Sequence, residues 1–213
     1  MQRQRKTKEP CQGCFLHLDH CMCHLIIPFG TKTKVSVLIH AKELKRTTNT
    51  GRIAVQALLN SSMHVRGQIN TPLPAGQLLD MDYENWLFFP SADAAELTHE
   101  FVSQFKKPIH LIVPDGNWRQ ASKVHTRHLE FADLRRVKIS TPNPLSHHLR
   151  LENTKEGMAT LQAIAHALKF TESEAAFEKL NAIYLEKLFR TLKARGEKFS
   201  RESLATLKKS WDP

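Results

Sequence analysis

Short apolar runs alternate along the chain with stretches whose apolar residues recur at helical spacing. KVSVLIH (34–40), NWLFFP (85–90) and IHLIV (109–113) have the length and composition of buried strands, and RRVKIS (135–140) predicts a fourth. Helical spacing follows in residues 51–58, 91–105 and 158–170. This alternation predicts an α/β fold with a mostly parallel sheet.

Capping residues give the expected helix boundaries. The segment 48–50 offers an N-cap for the first helix, and Ser91 or Asp93 offers one for the second. Thr171 with Glu174 predicts a capping box for a C-terminal helix. The apolar face of that helix is Phe177, Leu180, Tyr184 and Leu188.

The chain length fits one main domain with small appendages, because 213 residues can bury a sizeable core. We expect an α/β domain over 28–195, preceded by an arm over 1–27 and followed by a charged tail over 196–213. No apolar run approaches the ~20 residues of a membrane span, and the basic N-terminus lacks the apolar region of a signal peptide. We therefore expect a cytoplasmic protein without a membrane partner.

The formal net charge of +10 favours a polyanionic partner such as RNA, although a basic surface also serves solubility. Lys45, Arg46 and Arg52 surround the expected N-terminus of the first helix, where the backbone suits an anion. A solvated basic loop is the alternative interpretation of the same residues.

All four cysteines fall within CQGCFLHLDHCMC: Cys11, Cys14, Cys21 and Cys23. A C-x-x-C pair presents two thiolates from one tight turn, and four thiolates complete a tetrahedral Zn²⁺ site. Disulfides are the alternative, but a cytosolic chain stays reduced. Nearby histidines could also replace a thiolate. Because four protein ligands leave no open position, the zinc is expected to be structural.

The stretch PDGNW (114–118) stands where an apolar strand meets the start of a helix. Gly116 permits a close turn, and Asn117 is a favourable N-cap. Asp115 would then lie at the carboxyl end of a strand, where α/β proteins bind ligands. Trp118 could stack on a flat ring, or it could simply pack into the core.

The order of these motifs resembles the DTW-domain family, the tRNA-uridine aminocarboxypropyltransferases. The resemblance rests on the cysteine cluster, RTTNTGR, LIVPDGNWRQASK and MATLQAIAHAL, and covers roughly residues 11–190. The family signature Asp-x-Thr-Trp is matched by Asp115, Gly116 and Trp118, with Asn117 in place of threonine. In the later Ser-Thr-Leu-Glu-Ala motif, Gln162 replaces the glutamate.

The resemblance implies a SPOUT-like fold with a C-terminal trefoil knot that holds S-adenosylmethionine. The implied reaction transfers the 3-amino-3-carboxypropyl group to N3 of a uridine in tRNA, with Asp115 as general base or orienting group. Backbone amides near Asn117 and Trp118 are candidates for the donor carboxylate. The residues expected around the donor are Pro114, Gly116, Asn117, Trp118, Thr160 and Leu161. The candidates for tRNA phosphates or the donor carboxylate are Arg46, Asn49, Thr50, Arg52 and Lys123.

Two other functions use the same features. A non-catalytic RNA-binding protein would need only the zinc arm and the basic surface. A methyltransferase would use the same fold and donor but transfer a different group. Binding of S-adenosylmethionine would distinguish an enzyme from a non-catalytic RNA-binding protein. The mass of the modified nucleoside would distinguish the aminocarboxypropyltransferase from a methyltransferase.

Overall fold

The computed structural model describes residues 10–68, 70–140, 149, 157–197 and 200. Nearly all of the predicted tail over 196–213, and all but one of residues 141–156, lie outside these residues.

Six strands form one parallel sheet, which confirms the predicted α/β class with a mostly parallel sheet. They are β1 (Lys34–His40), β2 (Ser61–Arg66), β3 (Glu84–Phe88), β4 (Ala95–Glu96), β5 (Ile109–Asp115) and β6 (Arg135–Lys138). The spatial order is β2-β1-β5-β3-β6-β4, and every pairing is parallel. The adjacent interior strands β1 and β5 are buried almost throughout, which explains their continuous apolar runs.

Seven α-helices connect and cover the sheet in the described part of the chain. They are α1 (Gly51–Ala57), α2 (Ala75–Leu78), α3 (His99–Ser103), α4 (Trp118–Ala121), α5 (Val124–Arg127), α6 (Thr160–Thr171) and α7 (Glu174–Ala194). None of the described helices is long and apolar enough to cross a membrane.

Helices cover both faces of the sheet. Because successive strand residues point to opposite faces, neighbouring residues of one strand belong to different cores. Val37 and Val113 belong to the larger core, with α1, α6 and α7. Leu38 and Ile112 belong to the smaller core, with α2 and α5. The predicted apolar face of α7 is buried in the larger core.

Two of the predicted helix starts are wrong. The segment expected to begin a helix at Ser91 or Asp93 instead contains strand β4, and α3 begins later, with the Thr98 side chain accepting the cap hydrogen bond. Pairing of β4 with β6 overrides the local helical spacing. Thr171 ends α6, and Ser173 is the N-cap of α7.

Candidate functional site

The carboxyl ends of β1 and β5 lie side by side, and the connections that leave them run to opposite sides of the sheet. From β1 the chain continues through α1 to β2 on one side, whereas from β5 it continues through α4 and α5 to β6 on the other. The two connections also pack on opposite faces of the sheet. Such a switch point is the usual ligand site of an open parallel sheet. Ile39 and Asp115 are register partners there.

Asp115 connects three distant segments of the chain at this point. It is 6% exposed. Its Oδ2 accepts a hydrogen bond from Asn49 Nδ2 at 2.5 Å, and its Oδ1 accepts one from Thr160 Oγ1 at 2.7 Å. Donors on both oxygens stabilise the ionised carboxylate. Asp115 therefore holds two distant segments of the chain in place.

The N-termini of α1 and α6 close around this carboxylate. The Thr50 hydroxyl accepts a hydrogen bond from the backbone N–H of Leu161 at 3.1 Å, so the residue before α1 caps α6. A Cβ atom at Gly51 would lie 2.7 Å from Asp115 Oδ2, inside van der Waals contact. The close approach of α1 to β5 thus requires glycine. The predicted residues Asn49, Thr50, Thr160 and Leu161 all meet at the carboxyl end of β5.

The PDGNW segment forms the predicted turn from strand to helix. Asn117 is the N-cap of α4, and its side chain accepts from Gln120 N at 2.9 Å. The backbone N–H of Asn117 in turn donates to Gln120 Oε1 at 2.8 Å. This capping box already uses the Asn117 amide that we considered for the donor carboxylate.

Trp118 lies on the surface. Its side chain is 64% exposed, so the alternative in which it packs into the core is wrong. One side of the indole rests on the buried ring of Phe89, with centroids 4.9 Å apart. The ring is therefore held in position and remains accessible to a flat ligand.

The predicted basic residues have different surroundings. Arg46 is 55% exposed and pairs through Nε with Glu43 Oε1 at 3.2 Å. Lys123 is also exposed. The Arg52 guanidinium instead lies 3.7 Å from the Phe15 ring centroid and donates to two backbone carbonyls, those of Gln12 and Leu44. These contacts make Arg52 a link between the cysteine arm and the rest of the protein.

The four cysteines converge as the zinc hypothesis requires. Their sulfur atoms all lie within 4.8 Å of one another. Cys11 Sγ is 3.5 Å from Cys23 Sγ and 3.4 Å from Cys21 Sγ, and Cys14 Sγ is 4.0 Å from Cys21 Sγ. A tetrahedral zinc with 2.3 Å bonds places its sulfurs about 3.8 Å apart, whereas a disulfide needs about 2.05 Å. The thiol arrangement therefore fits Zn²⁺.

Local hydrogen bonding favours the thiolate at one of the four cysteines, Cys11, whereas burial raises the pKa of Cys23. The backbone N–H of Cys14, together with Gly13 and the neighbouring thiols, lowers the pKa of Cys11 to about 6 against the opposing effect of burial. A thiolate at neutral pH is the form that binds metal. A Cβ atom at Gly13 would lie 2.6 Å from Cys23 Sγ, so the turn between the first two cysteines requires glycine.

Two residues of α7 fasten the arm. The fully buried Lys187 donates from Nζ to the Cys14 carbonyl at 2.7 Å, and Arg190 donates to the Cys21 carbonyl at 2.7 Å. Burial lowers the pKa of Lys187 to about 8, while the neighbouring thiols raise it. A cation here balances the negative charge of a thiolate cluster. No local pattern in the α7 sequence indicated this role.

Sequence reasoning also missed Arg66, the last residue of β2. It is 2% exposed and lies near Asp115, whose charge raises the pKa of Arg66 while burial lowers it to about 10. Gln162, which departs from the resembled motif, is fully buried in α6. A neutral amide there avoids the burial of a charge.

The chain matches one protein-family model and two named relatives. The DTW domain matches residues 8–195. A Macaca fascicularis protein named tRNA-uridine aminocarboxypropyltransferase 2 is 22% identical over 172 residues, which cover 78% of this chain and 58% of that protein. A Drosophila melanogaster protein of the same name is 24% identical over 173 residues, covering 78% and 68%. No solved structure matches the chain. Since the family match extends over most of its length, this chain belongs to the DTW domain family.

Proposed function

We propose that this protein transfers the 3-amino-3-carboxypropyl group from S-adenosylmethionine to N3 of a uridine in tRNA. The observation that carries the proposal is the convergence on Asp115 of Asn49 and Thr160, each from a different motif of the DTW resemblance. The names of the two relatives support the same reaction. The SPOUT-like trefoil knot implied by the resemblance is part of this proposal.

The protein must align two reactants and accommodate one proton. Bound S-adenosylmethionine supplies a sulfonium leaving group, so alignment decides which carbon meets the nucleophile. The N3–C bond forms as the C–S bond breaks, methylthioadenosine leaves, and the N3 proton is released. Asp115 is the acid of the site, and we assign it the role of general base or orienting group.

The residues around Asp115 fit a bound donor. Pro114 and Gly116 flank it on the strand-to-helix turn, and Thr160 with Leu161 starts the helix opposite. The exposed, Phe89-supported ring of Trp118 can stack on a base, a contact typically worth about 1–3 kcal/mol.

The exposed basic residues fit a tRNA partner. Arg46 and Lys123 are accessible and lie on segments that flank the site, whereas Arg52 has the structural contacts described above. The net charge of +10 adds long-range attraction for a polyanion. Zn²⁺ on the four cysteines would organise the arm without taking part in the reaction. We place this reaction in the cytoplasm.

The decisive experiment compares tRNA nucleosides, by mass spectrometry, from cells with and without this protein. We expect 3-amino-3-carboxypropyl-uridine only when the protein is present. A methylated nucleoside would identify a methyltransferase instead. If the purified protein bound tRNA but not S-adenosylmethionine, it would be a non-catalytic RNA-binding protein.

Asp115→Asn tests the role of the carboxylate. Asparagine can still accept from Asn49 and donate to the Thr160 hydroxyl, so this variant should fold and bind donor and tRNA. If Asp115 assists proton removal, turnover should fall roughly 10²–10⁴-fold. Thr160→Val is the companion variant, because it keeps the carboxylate but removes one of its donors. Equal losses in both variants would indicate an orienting role, and near-normal turnover of Asp115→Asn would reject both roles.

A further inference from the structure

Arg66 is a buried cation with unused hydrogen-bonding capacity. Its Nε donates to the Leu38 carbonyl at 3.2 Å. Its Nη2 is buried and has no hydrogen-bond partner within the described part of the chain. A buried, unpaired donor on a charged group is destabilising, so such a group in a folded protein calls for an explanation, and a bound anion is one.

The unpaired nitrogen lies beside the PDGNW turn. A Cβ atom at Gly116 would be 3.5 Å from Arg66 Nη2, which is ordinary van der Waals contact, so the nitrogen lies against this position of the turn. Asp115 is the nearby acid, but its two oxygens accept hydrogen bonds from Asn49 and Thr160. Asp115 contributes charge near Arg66, but Nη2 has no hydrogen-bond partner among the described residues.

A second guanidinium lies near Arg66. After burial, which is the larger effect, Arg127 lowers the pKa of Arg66, and the charge of Asp115 raises it. An incoming anion would be attracted by both guanidinium groups and would supply the missing acceptor.

We propose that Arg66 binds the carboxylate of the donor's methionine part. This inference rests on the proposed function, because it assigns one end of the same donor. An Arg–carboxylate contact beside Asp115 would fix the aminocarboxypropyl chain at its far end. The carbon attached to sulfur would then face the uridine, which favours transfer of this chain over transfer of the methyl group.

The test measures the dissociation constants of three ligands by calorimetry: S-adenosylmethionine, its decarboxylated analogue and methylthioadenosine. The wild type should bind S-adenosylmethionine more tightly than the decarboxylated analogue. Arg66→Gln should weaken S-adenosylmethionine binding roughly 10- to 100-fold, the range for a charged hydrogen bond, and leave the other two ligands unchanged.

Two variants accompany Arg66→Gln. Arg66→Lys keeps the positive charge but lacks the planar guanidinium, so it should weaken S-adenosylmethionine binding less than Arg66→Gln does. It also replaces Arg66→Gln in the test if that variant does not fold. Arg135→Gln removes an exposed arginine at the start of β6 and should change none of the three constants. Thermal melting of each variant checks that it is folded.

The outcomes test the assignment of Arg66 separately from the proposed function. If both Arg66 variants keep the wild-type preference for the carboxylated ligand, or weaken all three ligands equally, the assignment of Arg66 is wrong and the proposed function stands. Loss of tRNA binding with intact S-adenosylmethionine binding would assign Arg66 to an RNA phosphate and would also overturn it. A wild-type protein that binds no S-adenosylmethionine would refute the proposed function itself, together with this inference.

Discussion

Replacing Gly51 with alanine adds one methyl group at the most crowded contact of the candidate site. The new Cβ would lie 2.7 Å from Asp115 Oδ2 and 2.9 Å from Val37 Cγ1. Asp115 is buried and held by hydrogen bonds, and Val37 is fully buried in strand β1. Neither neighbour can move without loss of packing or of a hydrogen bond.

Two opposing effects determine the size of the change. Alanine in a helix is favoured over glycine by up to about 1 kcal/mol. Overpacking of a tight core usually destabilises by about 1–3 kcal/mol, and loss of a hydrogen bond to a carboxylate adds about 1.5–3 kcal/mol. The steric effect should win, so Gly51→Ala should lower the free energy of unfolding by roughly 1.5–6 kcal/mol. Displacement of Asp115 should also reduce turnover at least about tenfold.

Gly76→Ala is the matched control, because Gly76 lies in helix α2 and its added Cβ would come no closer than 3.8 Å to Glu130 Cγ. That variant should be neutral or up to about 1 kcal/mol more stable. Urea denaturation followed by circular dichroism measures both. If Gly51→Ala were as stable as Gly76→Ala and fully active, the tight contact between α1 and Asp115 would be refuted.

Three further predictions concern the cysteine arm, the arginines Arg46 and Arg52, and the buried His110. Cys14→Ser should lower bound zinc from about one atom per chain and reduce stability, by elemental analysis and melting; a folded, metal-free wild type would contradict this. Arg46→Ala should weaken tRNA binding and reduce its salt slope by about one, whereas Arg52→Ala should mainly destabilise the protein, and the reverse result would reassign the two. Burial lowers the pKa of His110 to about 4, so the unfolded chain binds the proton first. Stability should therefore fall from about pH 6.5 towards pH 4 by up to ~1.4 kcal/mol per pH unit, and an equal fall in His110→Gln would exclude this residue as the cause.

The sequence alone determined the features that depend on neighbouring residues. The apolar runs of β1 and β5 indicated buried parallel strands, because such strands have core on both faces. The capping role of Asn117 followed from its place before a helix, and four cysteines within thirteen residues restricted the arm to a compact cluster. Each of these features depends on residues that are close together in the sequence, so the sequence alone is enough to predict it.

Strand β2 shows where local pattern fails. SSMHVR has no apolar run, and its residues are mostly half-buried at the edge of the sheet. Pairing with β1 makes it a strand. The same pairing brings Arg66 to the switch point, so an arginine that looks like a surface residue in the sequence becomes a buried neighbour of Asp115.

Only the tertiary structure decided how the candidate site is assembled. Asn49 and Thr160 are 66 and 45 residues from Asp115 along the chain, and their hydrogen bonds exist because parallel strands and their crossover helices bring the three segments together. The structure likewise directed Arg52 to the cysteine arm and left Trp118 at the surface. Residue type and spacing reveal what a side chain can do, but long-range packing determines which partners it meets.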